Sequence, residues 1–78
     1  MNSVTLGHRI REQRKGCGMT SEQLAEKCDV GAVHIRKIES GAKMPSLNLF
    51  VKLCNSLQTS PECLLQDDLK SNEWPKSL

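Results

Sequence analysis

The sequence predicts an all-α fold in which five short helices form one small domain over residues 1–66. Apolar residues recur at intervals of three and four along this part of the chain, as they do on the buried face of a helix. Between these stretches lie glycines, prolines and the small polar residues that favour helix ends. The 78 residues include one Trp, one Phe and no Tyr, so aliphatic, Cys and Met side chains must form the core. Residues 67–78 are mainly polar and are expected to form a C-terminal tail, either docked or disordered.

The first helix is predicted from about residue 4 to residue 15. Leu6 and Ile10 lie on one stripe of this helix, at the spacing of a buried face. The Gly16-Cys17-Gly18 segment ends the helix, because glycine resists helix continuation and permits the turn that follows.

The second helix has a complete start signal. Thr20, followed three residues later by Gln23, forms a capping box. Met19 precedes the cap in a position to pack against the helix that follows. The second helix is therefore predicted to begin at Ser21 and to end near Cys28.

The second and third helices are expected to cross at a steep angle. Only Asp29 and Val30 lie between their two apolar patterns, which is too few residues for the helices to run side by side. The third helix is predicted from residue 31 or 32 to residue 39 or 40, with Gly41 as a left-handed cap. This arrangement is a helix-turn-helix, a geometry that commonly holds one helix in the major groove of DNA. The inward-facing residues of the two helices are Leu24, Ala25, Cys28, Ile35 and Ile38.

The last two helices are predicted from caps and apolar spacing. Ser46 caps the fourth helix, and Ser60 with Pro61 at the first helical position opens a short fifth helix. The fifth helix is expected to turn Leu64 and Leu65 inward. The fourth helix is predicted from the helical spacing of Leu47, Phe50, Val51, Cys54 and Leu57.

Charge is distributed unevenly along the chain, whose formal net charge is +2. Residues 1–43 hold eight Lys or Arg and five acids, a balance of +3. Residues 44–78 hold three bases and four acids, a balance of −1. The basic half contains the helix-turn-helix, as nucleic-acid binding would require.

Other classes of function find no support in the sequence. The four cysteines lack the close pairing of zinc sites, so no metal is expected, and no cofactor or small-molecule ligand is implied. Cys28 and Cys54 are expected in the core, whereas Cys17 could alternatively sense redox state from its glycine-flanked loop. No apolar run reaches membrane-spanning length, and a cytoplasmic location is expected. No nucleophile–base pair or phosphate-binding loop indicates an enzyme.

Many residues match, in order and with short gaps, the pattern of one protein family: Ile10, Arg14, Met19-Thr20, Glu22-Gln23-Leu24-Ala25, Val30, Ile35, Ile38-Glu39-Ser40-Gly41, Pro45-Ser46-Leu47, Leu57 and Leu64-Leu65. On these residues the chain resembles the Cro and lambda-repressor-like helix-turn-helix family, over about residues 6–65. The resemblance implies the compact five-helix fold of that family. It also implies a sequence-specific transcriptional regulator, most often a repressor, that binds double-stranded DNA as a homodimer.

The family pattern also implies an ion pair between Arg14 and Glu39. Glu39 lies at the C-terminal end of the third helix, where the helix dipole disfavours an anion. A bidentate contact from Arg14 would remove this penalty and tie the first helix to the end of the third. The alternative is that both residues are exposed surface charges.

By the same resemblance, the second helix points its N-terminus at the phosphate backbone and the third helix enters the major groove. Because Ile35 and Ile38 face inward, the opposite face of the third helix would meet the bases. The base-reading candidates are Ala32, Val33, Arg36 and Lys37, with phosphate contact as the alternative for Arg36 and Lys37. The phosphate-binding candidates are Thr20, Ser21, Gln23, His34, Ser40, Gly41 and Lys43, with Arg9, Arg11 and Lys15 less favoured.

The start of the third helix departs from the family pattern. Gly31-Ala32-Val33 stands where such proteins usually carry polar or long side chains, and these residues offer a base only apolar contact or close backbone approach. This departure motivates an alternative function: a protein-interaction module of the same fold, such as an antitoxin or the partner of a regulator, with weak or no DNA binding. The dimer contact is expected, by family habit, to use Leu64, Leu65, Leu69 and Trp74.

Overall fold

The computed structural model describes residues 2–65, which form five helices and no strand. The prediction of an all-α fold is thereby confirmed. Within the same residues, none of the helices has both the length and the apolar character needed to cross a membrane. The helices are α1 Ser3–Gly16, α2 Ser21–Cys28, α3 Ala32–Glu39, α4 Leu47–Ser56 and α5 Pro61–Leu64.

The helix ends follow the predicted caps, except that α1 is one residue longer at each end. Asn2 caps its N-terminus, where the side-chain Oδ1 accepts hydrogen bonds from the amides of Val4 at 2.8 Å and Thr5 at 3.3 Å. At the other end the left-handed residue is Gly18, with φ of 71°. Gly16 itself stays helical.

The turn between α2 and α3 takes three residues. Asp29 adopts the left-handed conformation at this turn, with φ 58° and ψ 45°. The amide of Val30 then donates to the carbonyl of Ala25 at 3.0 Å, which closes the end of α2. Both α2 and α1 pack on α3.

A single aliphatic core holds the helices together. α3 contributes Ile35 and Ile38, which are fully buried, and the small Ala25 of α2 lies among the same buried residues. Met19 and Val30 pack against this core from the two turns that flank α2. The remaining core residues are Leu6, Ile10, Leu24, Cys28, Leu49, Leu53, Cys54, Leu57 and Leu64.

The inward face of α4 includes only some of the apolar residues from which the helix was predicted. Leu49 and Leu53 are buried beside Cys54, whereas Leu47 is 78% exposed and Val51 is 51% exposed. Both stripes have helical spacing, and the packing of α2 on α4 selects the one that carries Leu53. The consequence is an apolar patch on the outside of α4.

Gly7 allows α1 to approach the end of α3. A Cβ atom at this position would lie 2.2 Å from the carbonyl oxygen of Ile38 and 2.7 Å from that of Glu39. These are backbone atoms of a helix and cannot move aside easily. The close packing of α1 on α3 therefore requires glycine at this position.

Candidate nucleic-acid interface

The outer face of α3 is exposed and basic. Arg36 and Lys37 point to solvent, and the Arg36 side chain is 53% exposed. Ile35 and Ile38, on the opposite face, anchor the helix in the core. α3 therefore offers two cations to a partner without giving up its own packing.

The first turn of α3 presents a small apolar surface. Val33 is exposed, whereas Ala32 is half-buried and packs against the core. His34 is also half-buried, at the flank of the helix. Gly31 occupies the N-cap position and provides no side-chain hydrogen bond to the first amides of the helix. Of the apolar base-reading candidates, Val33 is thus the better placed to reach a partner.

The N-terminus of α2 is closed by the predicted capping box. The amide of Gln23 donates to Thr20 Oγ1 at 3.1 Å, and the amide of Thr20 donates to Gln23 Oε1 at 2.8 Å. These bonds use the side-chain oxygens as acceptors only. The hydroxyl proton of Thr20 and the NH₂ group of Gln23 therefore retain donors that can reach a phosphate.

A polar groove connects α1, α2 and α3 beside this face. Its lining includes Ser21 from the start of α2, Arg36 from α3 and Arg11 from α1. Arg11 is a less favoured phosphate candidate in the sequence than the residues of α2 and α3, because a charge on a predicted helix face is usually only solvated. Its place in the groove makes it a further cation beside the helix-turn-helix.

Arg36 is paired with a carboxylate that the sequence reasoning missed. Its Nη2 atom donates to Oε2 of Glu22, in the first turn of α2. The two residues are 14 positions apart, so no helical spacing connects them. Only the fold of α2 against α3 could reveal this pair.

The loop after α3 uses its own backbone donors internally. The amide of Ser40 donates to the carbonyl of Arg36 at 2.9 Å, and the amide of Gly41 donates to that of Ile38 at 3.1 Å. The Ser40 hydroxyl donates to the carbonyl of Lys37 at 3.0 Å. The groups expected to bind phosphate at positions 40 and 41 are therefore occupied by the helix end, and the exposed Lys43 is the donor that remains.

Arg14 and Glu39 form a bidentate ion pair behind the outer face of α3. Arg14 Nε lies 2.7 Å from Glu39 Oε2, and Nη2 lies 3.1 Å from Oε1. The hydrogen bond to Glu39 is the largest cause of a raised pKa at the Arg14 guanidinium. A third bond runs from Arg14 Nη1 to the carbonyl of Met19 at 2.8 Å. One guanidinium thus joins α1, the turn before α2 and the end of α3.

The residues expected at a dimer contact have different positions. Leu64 is buried in the core of its own subunit, which removes it from the surface available to a second copy. Leu65 is half-buried and lines an apolar groove with Leu6, Met44, Pro45, Leu47 and Phe50. Leu69 and Trp74 lie outside the described residues, as does the predicted tail. Among residues 2–65, this groove and the exposed Leu47 form an apolar surface beside α4.

The fold and this exposed basic face define a class of protein, the helix-turn-helix DNA-binding domains. A family model described as helix-turn-helix matches residues 10–62. The chain belongs to this Cro and lambda-repressor-like helix-turn-helix family, a family of DNA-binding transcriptional regulators.

One curated relative is the HTH-type transcriptional regulator ImmR of Bacillus subtilis (strain 168). The two sequences are 32% identical over 72 residues, which is 90% of the chain and 57% of ImmR. The chain therefore spans little more than half the length of this relative.

Solved structures share the fold over most of the chain. The restriction-modification controller protein C.AhdI from Aeromonas hydrophila is 31% identical, with a TM-score of 0.76 over 80% of this chain and 94% of its own. The clp gene regulator ClgR from C. glutamicum is 28% identical, with a TM-score of 0.81 over 86% of each chain. Both are regulators, in keeping with the family.

Proposed function

We propose that the chain is a sequence-specific DNA-binding repressor that acts as a homodimer and places α3 in the major groove. The observation that carries the proposal is the two-sided character of α3. Arg36 and Lys37 are exposed on one side, while Ile35 and Ile38 fix the helix to the core on the other. A protein bound in this way near a promoter would exclude polymerase without any catalytic step.

The two cations of α3 are suited to different contacts. The planar guanidinium of Arg36 matches the O6 and N7 atoms of a guanine edge, which is the commonest specific contact in the major groove. Lys37 and Lys43 present point charges suited to phosphates. Val33 adds an apolar side chain that can contact a thymine methyl group.

Phosphate contacts from α2 would orient the domain on the duplex. Thr20 and Gln23 keep one donor group each outside the capping box. Ser21 lines the groove that also holds Arg11 and Arg36. These groups lie beside the outer face of α3, so a backbone contact at α2 is compatible with base contact at α3.

The homodimer is supported by the apolar surface on α4. Leu47 and Val51 are exposed, and Met44 is 44% exposed beside them. Apolar residues clustered in this way commonly mark an association surface. A second copy placed there leaves α3 uncovered, because Arg36 and Lys37 take no part in the patch. Two α3 helices in one dimer would read half-sites roughly 34 Å apart.

A second candidate function is a protein-interaction module of the same fold. The observation that favours it is the composition of the exposed face, where an apolar Val33 and the carboxylate of Glu22 accompany the two cations. Neither side chain attracts phosphate. In this case the outer face of α3 would bind a protein partner, and duplex DNA would bind weakly or not at all.

A fluorescence titration with labelled duplex at about 50 and 200 mM salt separates the two functions. A dimer in which each subunit makes about three phosphate contacts would lose roughly a thousandfold in affinity between these conditions. Selection of binding sites from a random duplex pool then gives the operator. Two copies of one half-site support the homodimer, and no binding at low salt supports the protein-interaction module.

A further inference from the structure

Glu22 of α2 and Arg36 of α3 form an ion pair on the exposed side of the helix-turn-helix. Arg36 Nη2 donates to Glu22 Oε2, and both side chains are largely exposed, at 53% and 63%. A pair this exposed contributes little to the stability of the fold. Stability is therefore a weak reason for holding Arg36 in this geometry.

A carboxylate at this position would oppose nonspecific attraction to DNA. Glu22 lies in the first turn of α2, the helix end that the proposed function directs at the phosphate backbone. The helix dipole stabilises an acid at this end of α2. An acid at any other position of the first turn would interact with the dipole equally well. What distinguishes Glu22 is its contact with the recognition helix.

Arg36 can contact a base while its guanidinium stays paired with Glu22. The guanidinium has five N–H groups, and the hydrogen bond to Glu22 uses one of them, on Nη2. The remaining donors are enough for a bidentate contact with guanine O6 and N7. A long side chain held in advance loses less rotamer freedom when it meets the base. Within residues 2–65 no such ion pair holds the neighbouring Lys37.

We infer that Glu22 is a positioning residue for specificity: it aims the Arg36 guanidinium at a base edge and keeps it from the phosphates. This inference rests on the proposed function, because it assigns a role within the same DNA-binding face. Loss of Glu22 would let Arg36 reach phosphates at any sequence. Discrimination would fall while affinity for unrelated DNA would rise.

The test compares Glu22→Ala with Glu26→Ala, which removes the same charge from α2 one turn further along. For each protein, affinity is measured for the selected operator and for duplexes changed at single base pairs. The ratio of the two affinities is the readout, since it does not depend on the fraction of folded protein. We expect Glu22→Ala to lower the ratio about fivefold at the base pair that Arg36→Ala relaxes. Glu26→Ala should leave it unchanged.

The double variant Glu22→Ala/Arg36→Ala completes the test. It should discriminate no less than Arg36→Ala alone, because Glu22 acts only through Arg36. If Glu22→Ala keeps the wild-type ratio, or changes it as Glu26→Ala does, the inference is overturned while the proposed function stands. If the wild-type chain shows no sequence preference, the proposed function fails and the inference fails with it.

Discussion

Arg14 and Glu39 join the first helix to the end of the recognition helix through two hydrogen bonds of 2.7 and 3.1 Å. Their side chains are only 11% and 7% exposed. Glu39 ends α3, where the helix dipole disfavours a negative charge. The Arg14 guanidinium supplies the compensating charge and fixes the C-terminal end of α3 against α1. The orientation of the outer face of α3 therefore depends on a contact made behind it.

Arg14→Ala should lower the free energy of unfolding by about 3 kcal/mol, because it leaves the largely buried Glu39 carboxylate without its partner. Urea denaturation measures the change. Arg36→Ala is the matched control, since it breaks an exposed Arg–Glu pair and should cost under about 1 kcal/mol. Equal losses in the two variants would contradict the structural role assigned to Arg14.

Gly7→Ala should destabilise the fold by about 3 kcal/mol. The new Cβ would meet the Ile38 carbonyl oxygen at 2.2 Å, so α1 and α3 must separate, at the upper end of the usual cost of overpacking. The melting temperature measures this loss. Gly16→Ala is the control, because its Cβ meets nothing within 4 Å at the end of the same helix. It should be neutral or raise stability by about 0.5 kcal/mol. Similar melting temperatures for the two variants would contradict the close approach.

Alkylation should separate the four cysteines into two classes. Cys63 should react first, because it is exposed and hydrogen bonds, chiefly from the Ser60 side chain, lower the pKa of its thiol. Cys17 is also exposed, although its Sγ donates to the Leu57 carbonyl at 3.4 Å. Cys28 and Cys54 are buried, and burial raises the pKa of Cys54. Mass spectrometry of timed iodoacetamide reactions measures the order of labelling. If Cys54 is labelled as fast as Cys63, its position in the buried core is contradicted.

Arg36→Ala and Lys43→Ala should weaken DNA binding in different ways. Loss of Arg36 should relax preference at one base pair, worth about 1–3 kcal/mol of discrimination. Loss of Lys43 should weaken all sequences alike and reduce the salt slope by about one per subunit. Affinities for the operator and its single-base variants, measured at two salt concentrations, distinguish these effects. Uniform weakening by both substitutions would remove Arg36 from the base-reading residues.

Leu47→Glu should weaken self-association, because it places a charge on the most exposed leucine of the apolar patch. Sedimentation equilibrium measures the shift toward monomer, and we expect at least a tenfold loss, about 1.4 kcal/mol. Val33→Glu is the control, since Val33 is also exposed but lies on the recognition helix. It should leave association unchanged and impair DNA binding. If Val33→Glu abolishes the dimer and Leu47→Glu keeps it, the dimer contact does not lie on the apolar patch of α4.

The sequence predicted those features that depend on local chemistry. The capping box of Thr20 and Gln23 appears as expected, because it is determined by residues within a few positions. The buried face of α4 could not be chosen from the sequence, since two apolar stripes share the helical period and only packing distinguishes Leu53 from Val51. The requirement for glycine at position 7 and the contact of Glu22 with Arg36 were also missed. Both depend on residues distant in sequence, which no local pattern brings together.

The proposed function depends above all on contact between the outer face of α3 and DNA. It is tested most directly by following the backbone amide signals of the ¹⁵N-labelled chain while the selected duplex is added. The largest chemical-shift changes should fall on residues 31–37, with further changes at residues 20–23 and at Lys43. Binding that saturates while the signals of residues 31–37 stay unchanged would contradict the claim.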